Sequence, residues 1–391
     1  MPCPDRPDPW NGTLEESVHN RRVFLTSGLA AIAGCASKKA AGFPGYAFVA
    51  NQEGLAVAAV DLTAFAVVKH IRIEGRPTEV IAHPLNPSVY VLTPENGALH
   101  EIDSGRLAFK RKLAVGATAH SMWLAPDGNS IWVLTRKPNR LVRVALRTFK
   151  VEAILVLPAE PVDIDVVREG NRAAVSFGAF AAPVIVNLAS QQIESTVKAV
   201  TPVSIVRLQS DGKQLIAAHQ EERMLSFYAV PSGEVVTRLP LAIKPKNLCF
   251  KQDGGQLFIT GEGMDAVVVV YPYRTEVRET VLAGHLPGAM AAAAADEFDF
   301  LFVTNPQSGD VTILNVATTP MRVVGVAPAG KDPSFIAITP DNQYALVLNR
   351  ESGDMAVIRI KNVAQNRARK APLFTMIPVG SRPVCAVVQA V

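Results

Sequence analysis

The feature that most constrains the fold is a short apolar segment that recurs eight times at an almost constant interval. Successive copies are separated by 42, 42, 42, 42, 42, 44 and 44 residues. The copies are AFVA at 47, VYVL at 89, IWVL at 131, AAVS at 173, LIAA at 215, LFIT at 257, LFVT at 301 and ALVL at 345. A period of about 40 to 45 residues without amphipathic helical stretches is typical of β-propeller blades and not of helical solenoids.

Each repeat contains the same series of short apolar segments separated by polar turns. Asp-Gly turns such as PDG (126–128), SDG (210–212) and QDG (252–254) precede the recurring core in several copies. Residues that tolerate positive φ allow the chain to reverse direction within a few positions. The pattern therefore predicts that each blade is a four-stranded antiparallel sheet, in an all-β protein.

The two ends of the repeat region predict how the ring closes. The core at 47 has no inner strand before it, and the chain finishes with PVCAVVQAV (383–391), an inner-strand pattern with no blade after it. We therefore predict eight blades over residues 44–391, with the carboxy-terminal strand completing the first blade; seven blades is the alternative. The run Ala291–Ala295 favours a helix by intrinsic propensity, but its position in the repeat predicts an inner strand.

Several repeats also resemble a known family. The segments AFVAN (47–51), VYVLT (89–93) and LFVTN (301–305) are similar to the YVTN family of bacterial propeller repeats, over nearly all of residues 44–391. The resemblance implies a propeller like those of quinoprotein amine dehydrogenases, surface-layer proteins, lactonases and the haem-binding domain of a nitrite reductase. It implies little about function. The chain departs from the family at AAVSF (173–177), and most YVTN-like chains have seven blades.

The amino-terminal segment resembles a twin-arginine export signal that ends in a bacterial lipobox. The paired Arg21 and Arg22 precede a short apolar run, and the segment closes on Ile-Ala-Gly-Cys at Cys35. The apolar run is too short to span a bilayer. We therefore predict a signal over residues 1–35 and a linker over residues 36–43.

This resemblance implies an exported lipoprotein in the periplasm or on the cell surface. Lipid chains carried by Cys35 would be its only contact with the membrane. The other cysteines of the propeller, Cys249 and Cys385, fall on inner strands three blades apart, so we expect small buried residues and not a disulfide. The spacing of histidines, cysteines and carboxylates predicts no metal site.

Charge excludes one class of partner. The 39 basic residues exceed the 35 acidic residues by only four, so the sequence does not predict a nucleic-acid-binding protein. We expect a monomer whose partner is a protein or a cell-envelope ligand.

Candidate binding residues cluster at one end of the predicted channel. In a propeller, the loops that enter the inner strands meet the loops that join the second and third strands at the channel mouth, and loops on a rigid scaffold commonly carry function. Polar groups at these positions have no other expected structural task. Either they converge on a small polar ligand or they line a water-filled channel. Those at the inner strands are Glu79, His120, Asp163, Lys246 and Asn247, and those on the outer ring are Arg136, His219, Glu262 and Arg350.

Common enzyme signatures are absent. The sequence has no G-x-S-x-G, phosphate-binding loop or H-E-x-x-H, and the lack of C-x-x-C-H excludes a covalent haem domain. We therefore expect a binding scaffold without a cofactor. The alternative is an enzyme or cofactor handler with one residue per blade. It would be a lactonase-like hydrolase with Glu79 or Asp163 as base, or a protein that binds a haem-like tetrapyrrole through His120.

Overall fold

The computed structural model describes residues 42–167, 171–178, 180–295, 298–364 and 371–390. The predicted export and lipidation residues Arg21, Arg22 and Cys35 lie outside the described residues, as does the linker up to residue 41. Within the described residues the chain forms 32 β-strands, one α-helix of five residues, α1 Ile360–Ala364, and a single 3-10 turn at Pro94–Asn96. No helix in this part of the chain is long and apolar enough to cross a membrane.

The strands form eight sheets of four antiparallel strands each. Blade 1 contains β1 Gly45–Asn51, β2 Ala56–Asp61, β3 Ala66–Arg72 and β32 Pro383–Ala390. Blades 2 to 4 contain β4 Glu79–Ala82, β5 Ser88–Thr93, β6 Ala98–Asp103 and β7 Ala108–Ala114; β8 Thr118–Leu124, β9 Ser130–Lys137, β10 Asn139–Ala145 and β11 Lys150–Val156; and β12 Asp163–Val166, β13 Arg172–Phe177, β14 Phe180–Asn187 and β15 Gln192–Thr196.

Blades 5 to 8 repeat the same order from the channel outward. They contain β16 Ile205–Leu208, β17 Gln214–His219, β18 Met224–Ala229 and β19 Val235–Pro240; β20 Lys244–Phe250, β21 Leu257–Glu262, β22 Ala266–Tyr271 and β23 Glu276–Leu282; β24 Met290–Ala295, β25 Phe298–Asn305, β26 Asp310–Asn315 and β27 Arg322–Pro328; and β28 Pro333–Ile338, β29 Tyr344–Asn349, β30 Asp354–Arg359 and β31 Leu373–Pro378.

The hydrophobic core lies between the faces of neighbouring blades. The middle strands are buried on both faces, as in β22, whereas the outer strand β23 has mostly exposed residues. One layer packs Phe227 of blade 5 against Ile259 and Val268 of blade 6. Strands enclosed on both sides carry continuous apolar runs, which explains why the recurring four-residue cores are the clearest repeat signal in the sequence.

The predicted blade number and ring closure are confirmed. Strand β32 pairs antiparallel with β1, from Gly45 opposite Ala390 to Asn51 opposite Pro383. The prediction that Ala291–Ala295 forms an inner strand is also confirmed, because these residues lie in β24 and pair with β25. Pairing with β25 at the inner edge of the blade therefore overrides the helical propensity of alanine here.

The loops between the second and third strands of blades 7 and 8 are similar in sequence, NPQSGD (305–310) and NRESGD (349–354), and their contacts explain the similarity. Asn305 and Asn349 are fully buried, and each donates an amide hydrogen bond of 2.6 Å to the aspartate five residues later, Asp310 or Asp354. The serines of the same loops, Ser308 and Ser352, accept backbone N–H groups from the preceding interblade connection at 2.8 and 3.0 Å. The residues shared by the two loops thus preserve the contact between each loop and the preceding interblade connection.

Glycine is required where these loops meet the interblade connection. A Cβ on Gly284 would lie 2.5 Å from the amide nitrogen of Asn305, and a Cβ on Gly330 would lie 2.7 Å from that of Asn349. These separations are far below a normal nonbonded contact. The interblade glycine and the buried asparagine therefore form one packing unit that is present in both blade 7 and blade 8.

Candidate functional site at the channel mouth

The channel mouth is the end of the axis where each interblade connection enters an inner strand. Because the strands alternate in direction, the connections between second and third strands reach the same end. Glu79 begins β4, Asp163 begins β12, and Lys246 and Asn247 lie early in β20. The third residue of β8 is His120. All five inner candidates from the sequence therefore lie where inner strands begin.

Three of these candidates line one cavity. A cavity of about 320 Å³ lies between the inner strands of blades 4 to 7 and is lined by Asp163, Lys246 and Asn247, among others. Arg207 of β16 also lines this space, and the sequence analysis missed it. Apolar contacts come from Leu248 and Met290, so the wall combines charged and apolar surfaces.

Asp163 and Arg207 form the best-connected charged pair of the cavity. The Nη1 atom of Arg207 donates to Oδ2 of Asp163 at 2.8 Å and to the carbonyl oxygen of Val206 at 2.6 Å. The same Oδ2 atom accepts the backbone N–H of Val206 at 2.8 Å. Both side chains are about a quarter exposed, at 23% for Asp163 and 28% for Arg207. The pair is therefore held in place yet open to the channel.

Glu79 lies on the opposite side of the channel in blade 2. Its Oε2 atom accepts the backbone N–H of Met122, in the inner strand of blade 3, at 2.8 Å. Burial raises the pKa of Glu79 to about 7, the hydrogen bond from Met122 opposes that rise, and the negative charge of Asp163 adds to it. A carboxyl group with a pKa near neutrality can both donate and accept a proton at physiological pH.

His120 joins blade 3 to blade 4. Its Nε2 atom lies 2.6 Å from the carbonyl oxygen of Val162. A carbonyl oxygen only accepts hydrogen bonds, so Nε2 must carry the hydrogen. Burial, followed by the positive charge of Arg136, lowers the pKa of His120. The neutral tautomer therefore leaves Nδ1 as the nitrogen with a lone pair.

These contacts correct one expectation from the sequence. Glu79, His120 and Asp163 were expected to have no structural task, but each hydrogen-bonds to the backbone of the next blade. Asp165 repeats the pattern and accepts the N–H of Leu208 at 2.7 Å; burial raises its pKa. The side chains of inner strands thus join blades 2, 3, 4 and 5 in series, and any binding role is added to this structural role.

The outer ring consists largely of ion pairs between neighbouring loops. Arg136 lies 3.6 Å from Glu160, and Arg350 lies 2.6 Å from Asp332. Glu262 pairs with Lys246, and this contact lowers the pKa of Glu262. Further ion pairs of the same kind are Arg76–Glu95, Lys244–Glu221 and Arg382–Glu53, and His285 hydrogen-bonds to Asp265.

One outer-ring candidate lies inside the protein. His219 is fully buried, with Nδ1 2.8 Å from the hydroxyl oxygen of Thr201 and Nε2 2.9 Å from that of Ser226. Burial lowers its pKa. Both ring nitrogens are engaged, so the structure places His219 in a buried hydrogen-bond network between β18 and the connection that precedes β16.

The two propeller cysteines are unpaired and belong to different blades. Cys249 lines the cavity, and burial raises its pKa to about 11. Burial likewise raises the pKa of Cys385 to about 12. Both thiols are therefore protonated at neutral pH and poor nucleophiles. Among the described residues, no group of three or more His, Cys, Asp or Glu side chains is placed to hold a metal ion.

Comparison with known proteins supports the fold. No protein-family model matches the chain, and no curated protein matches it in sequence. Among solved structures, hydrazine synthase of Kuenenia stuttgartiensis has a TM-score of 0.58 and 16% identity, covering 72% of this chain and 95% of that one. The dihydro-heme d1 dehydrogenase NirN, in complex with DHE, has a TM-score of 0.72 and 12% identity, and the match covers 89% of this chain and 76% of that one.

A third similar structure is a functionally unknown protein from Desulfotomaculum acetoxidans DSM 771. Its TM-score is 0.58 at 12% identity, covering 88% of this chain and 98% of that one. At such low identities the likeness shows the fold alone, and it supports a bacterial β-propeller. The YVTN resemblance and the roles of individual residues stay predictions.

Proposed function

We propose that this β-propeller is a binding protein that holds a small polar ligand at its channel mouth. The observation that carries the proposal is the cavity between blades 4 and 7, in which Asp163, Arg207, Lys246 and Asn247 meet apolar side chains. Small-molecule sites are commonly concave, of about 300–1,000 Å³, with a few polar groups set in an apolar wall. The cavity has this composition and lies at the lower end of that size range.

The cellular setting of the proposal comes from the sequence. We propose an exported, monomeric, YVTN-type propeller that is anchored to a bacterial membrane through lipid on Cys35 and presents its mouth to a cell-envelope ligand or protein. The support is the Arg21-Arg22 pair followed by Ile-Ala-Gly-Cys. Labelling with radioactive palmitate tests it: Cys35→Ala should abolish the label, and unchanged labelling would contradict the anchor.

The binding proposal is tested with two lysines that differ mainly in position. Lys246 lines the cavity and pairs with Glu262, whereas Lys244 pairs with Glu221 but does not line the cavity. Purified protein is incubated with pools of small metabolites, and retained compounds are identified by mass spectrometry after gel filtration. Lys246→Ala and Asn247→Ala should lose the retained compound, and Lys244→Ala should keep it. Equal retention by all three variants would place the site elsewhere.

One observation favours a second function, acid–base catalysis of the lactonase type. Glu79 faces the channel, and its pKa of about 7 suits a general base. The rate of lactone hydrolysis should then rise with pH through an inflection near 7, as Glu79 ionises. Glu79→Gln should remove both the activity and the inflection. Hydrolysis that survives in Glu79→Gln would exclude this role.

A tetrapyrrole cofactor fits the residues less well. NirN is described as a dihydro-heme d1 dehydrogenase in complex with DHE, which makes the comparison relevant. His120 holds its Nε2 hydrogen on the carbonyl oxygen of Val162, so only Nδ1, the nitrogen nearer the main chain, remains for iron. Of the residues that the structure describes, no histidine lines the 320 Å³ cavity. Purified protein should therefore show no Soret band after incubation with haem, and a band lost in His120→Ala would contradict this conclusion.

A further inference from the structure

In the guanidinium group of Arg207, Nη1 is hydrogen-bonded to the protein, whereas the edge formed by Nε and Nη2 is open. Nη1 makes both of its hydrogen bonds to protein, to Asp163 and to the carbonyl oxygen of Val206. In the part of the chain that the structure describes, neither Nε nor Nη2 has a partner. The Nε–Nη2 edge presents two parallel N–H donors, the geometry that matches a carboxylate.

The surroundings of Arg207 fix it before any ligand arrives. Asp163 is itself held by the N–H of Val206, so the arginine and its partner form one rigid group at the start of two neighbouring inner strands. Fixing a recognition group in advance lowers the entropy that binding costs. A long, mobile surface arginine lacks this advantage.

The rest of the cavity determines what else the ligand must contain. Lys246 lies at the rim with its charge balanced by Glu262, and among the described residues the one carboxylate that lines the cavity, Asp163, is already paired with Arg207. Leu248, Met290 and Ile205 supply apolar wall. A bare inorganic anion would leave that wall in contact with water, whereas an apolar body would cover it.

Resting on the proposed binding function, we propose that the ligand is a compact organic carboxylate. Its carboxylate pairs with the Nε–Nη2 edge of Arg207, and its apolar body packs against Leu248 and Met290. The amide oxygen of Asn247 is available as an acceptor for a polar substituent, because the described contacts of this side chain use only its Nδ2 atom, which donates to Thr260.

Four probes with a shared aromatic ring separate charge from shape. They are benzoate, phenyl phosphate, benzyl alcohol and benzylamine, each titrated into the full-length protein by NMR at constant ionic strength. Benzoate should bind at least about tenfold more tightly than the alcohol or the amine, as expected for a charge-assisted bidentate contact. Benzylamine binding as tightly as benzoate would overturn the proposal, and so would a clear preference for phenyl phosphate.

A conservative substitution tests the arginine without removing its charge. Arg207→Lys keeps a positive charge to pair with Asp163 but loses the two parallel N–H donors. It should weaken benzoate binding about tenfold with little change in thermal unfolding. The matched control is Arg223→Lys, on an exposed arginine at the same end that donates to the carbonyl oxygen of Ala242 and does not line the cavity. Equal benzoate affinity in wild type and Arg207→Lys would overturn the assignment.

The outcome also separates this inference from the binding proposal on which it rests. If the metabolite retained by wild-type protein is lost in Lys246→Ala while benzoate never binds, the site stands and the carboxylate assignment falls. If no pool compound is retained and no probe binds, both fall.

Discussion

Blades 7 and 8 differ from blades 4 and 5 in what their polar side chains contact. In blades 7 and 8, the buried Asn305 and Asn349 serve loop packing next to a glycine that cannot carry a side chain. In blades 4 and 5, Asp163 and Arg207 face an open cavity while they join the two inner strands. The first region repeats its sequence closely, and the second departs from the repeat.

This difference separates two kinds of polar residue in a repeat protein. A polar residue that recurs at the same repeat position, as Asn305 and Asn349 do, is explained by a contact that every such blade needs. A charged residue that occurs in one inner strand, as Arg207 does within the apolar segment IVRL, has no counterpart in most blades. Divergent polar residues on inner strands are therefore the better candidates for binding.

The largest expected effect breaks the packing unit of blade 7. Gly284→Ala would place a Cβ 2.5 Å from the buried amide of Asn305, and this strain should lower the free energy of unfolding by about 2–4 kcal/mol. The matched control is Gly325→Ala in β27, where the nearest atom to a new Cβ is 3.9 Å away. Denaturant unfolding should show a loss only for Gly284→Ala, and equal stability of the two variants would refute the packing argument.

The next effect concerns Glu79 and depends on pH. Its folded pKa of about 7 lies above the ordinary value of 4.5, so the folded state binds the proton more tightly than the unfolded state. This contribution to stability is fully present below about pH 4.5 and is lost as pH rises through 7. Glu79→Gln keeps an acceptor for Met122 and should be more stable than wild type by about 1–3 kcal/mol at pH 8.

Thermal unfolding at two pH values checks the Glu79 prediction. Near pH 4, both folded proteins carry a neutral side chain at this position, so the stability gain of Glu79→Gln should shrink towards zero. A gain of the same size at pH 4 and pH 8 would mean that ionisation of Glu79 is not its cause.

A smaller effect is expected for Asp163→Asn. The amide oxygen can still accept the N–H of Val206, but the charge that faces Arg207 is lost, so stability should fall by about 1 kcal/mol. Calorimetry measures this loss. No change would indicate that the channel pair contributes nothing to joining blades 4 and 5, and a loss above that of Gly284→Ala would reverse the comparison between the two regions.

The smallest effect is expected at the outer ring. The Arg350–Asp332 pair is short, at 2.6 Å, but the arginine is 40% exposed, and exposed pairs contribute only about 0–1 kcal/mol. Arg350→Ala should therefore change stability by less than 1 kcal/mol, and the difference from wild type should diminish further in high salt. A large loss of stability that persists in high salt would mean that the outer-ring ion pairs stabilise the fold as much as the interblade glycines do.

Sequence reasoning was sufficient for the fold because packing between blades imposes the period directly. Apolar cores at 42- and 44-residue intervals correspond to middle strands whose residues are buried, such as β21 and β29. Closure by β32 was predicted because the first repeat, with its core at residue 47, lacks an inner strand, and the last segment, residues 383–391, has the pattern of an inner strand without a blade of its own. Even Ala291–Ala295 was assigned correctly, because its position in the repeat outweighed its propensity.

The site was only partly accessible from sequence. Position in the repeat located Asp163, Lys246 and Asn247 at the mouth, but it could not show that His219 turns into the interior, since one residue of register decides which way a strand side chain points. Arg207 was missed because it is the third residue of β16 and does not open its inner strand. A charge in the middle of an apolar inner strand was the signal that would have found it.

Ring closure imposes an order on how this chain acquires its structure. Residues that face each other in the β1–β32 ladder, such as Tyr46 and Gln389, are separated by more than 300 positions in the chain. Contacts this distant in sequence form late and slowly, because the entropy of a long loop must be overcome first. During synthesis, β1 therefore leaves the ribosome with an unpaired edge and keeps it until seven further blades have been made.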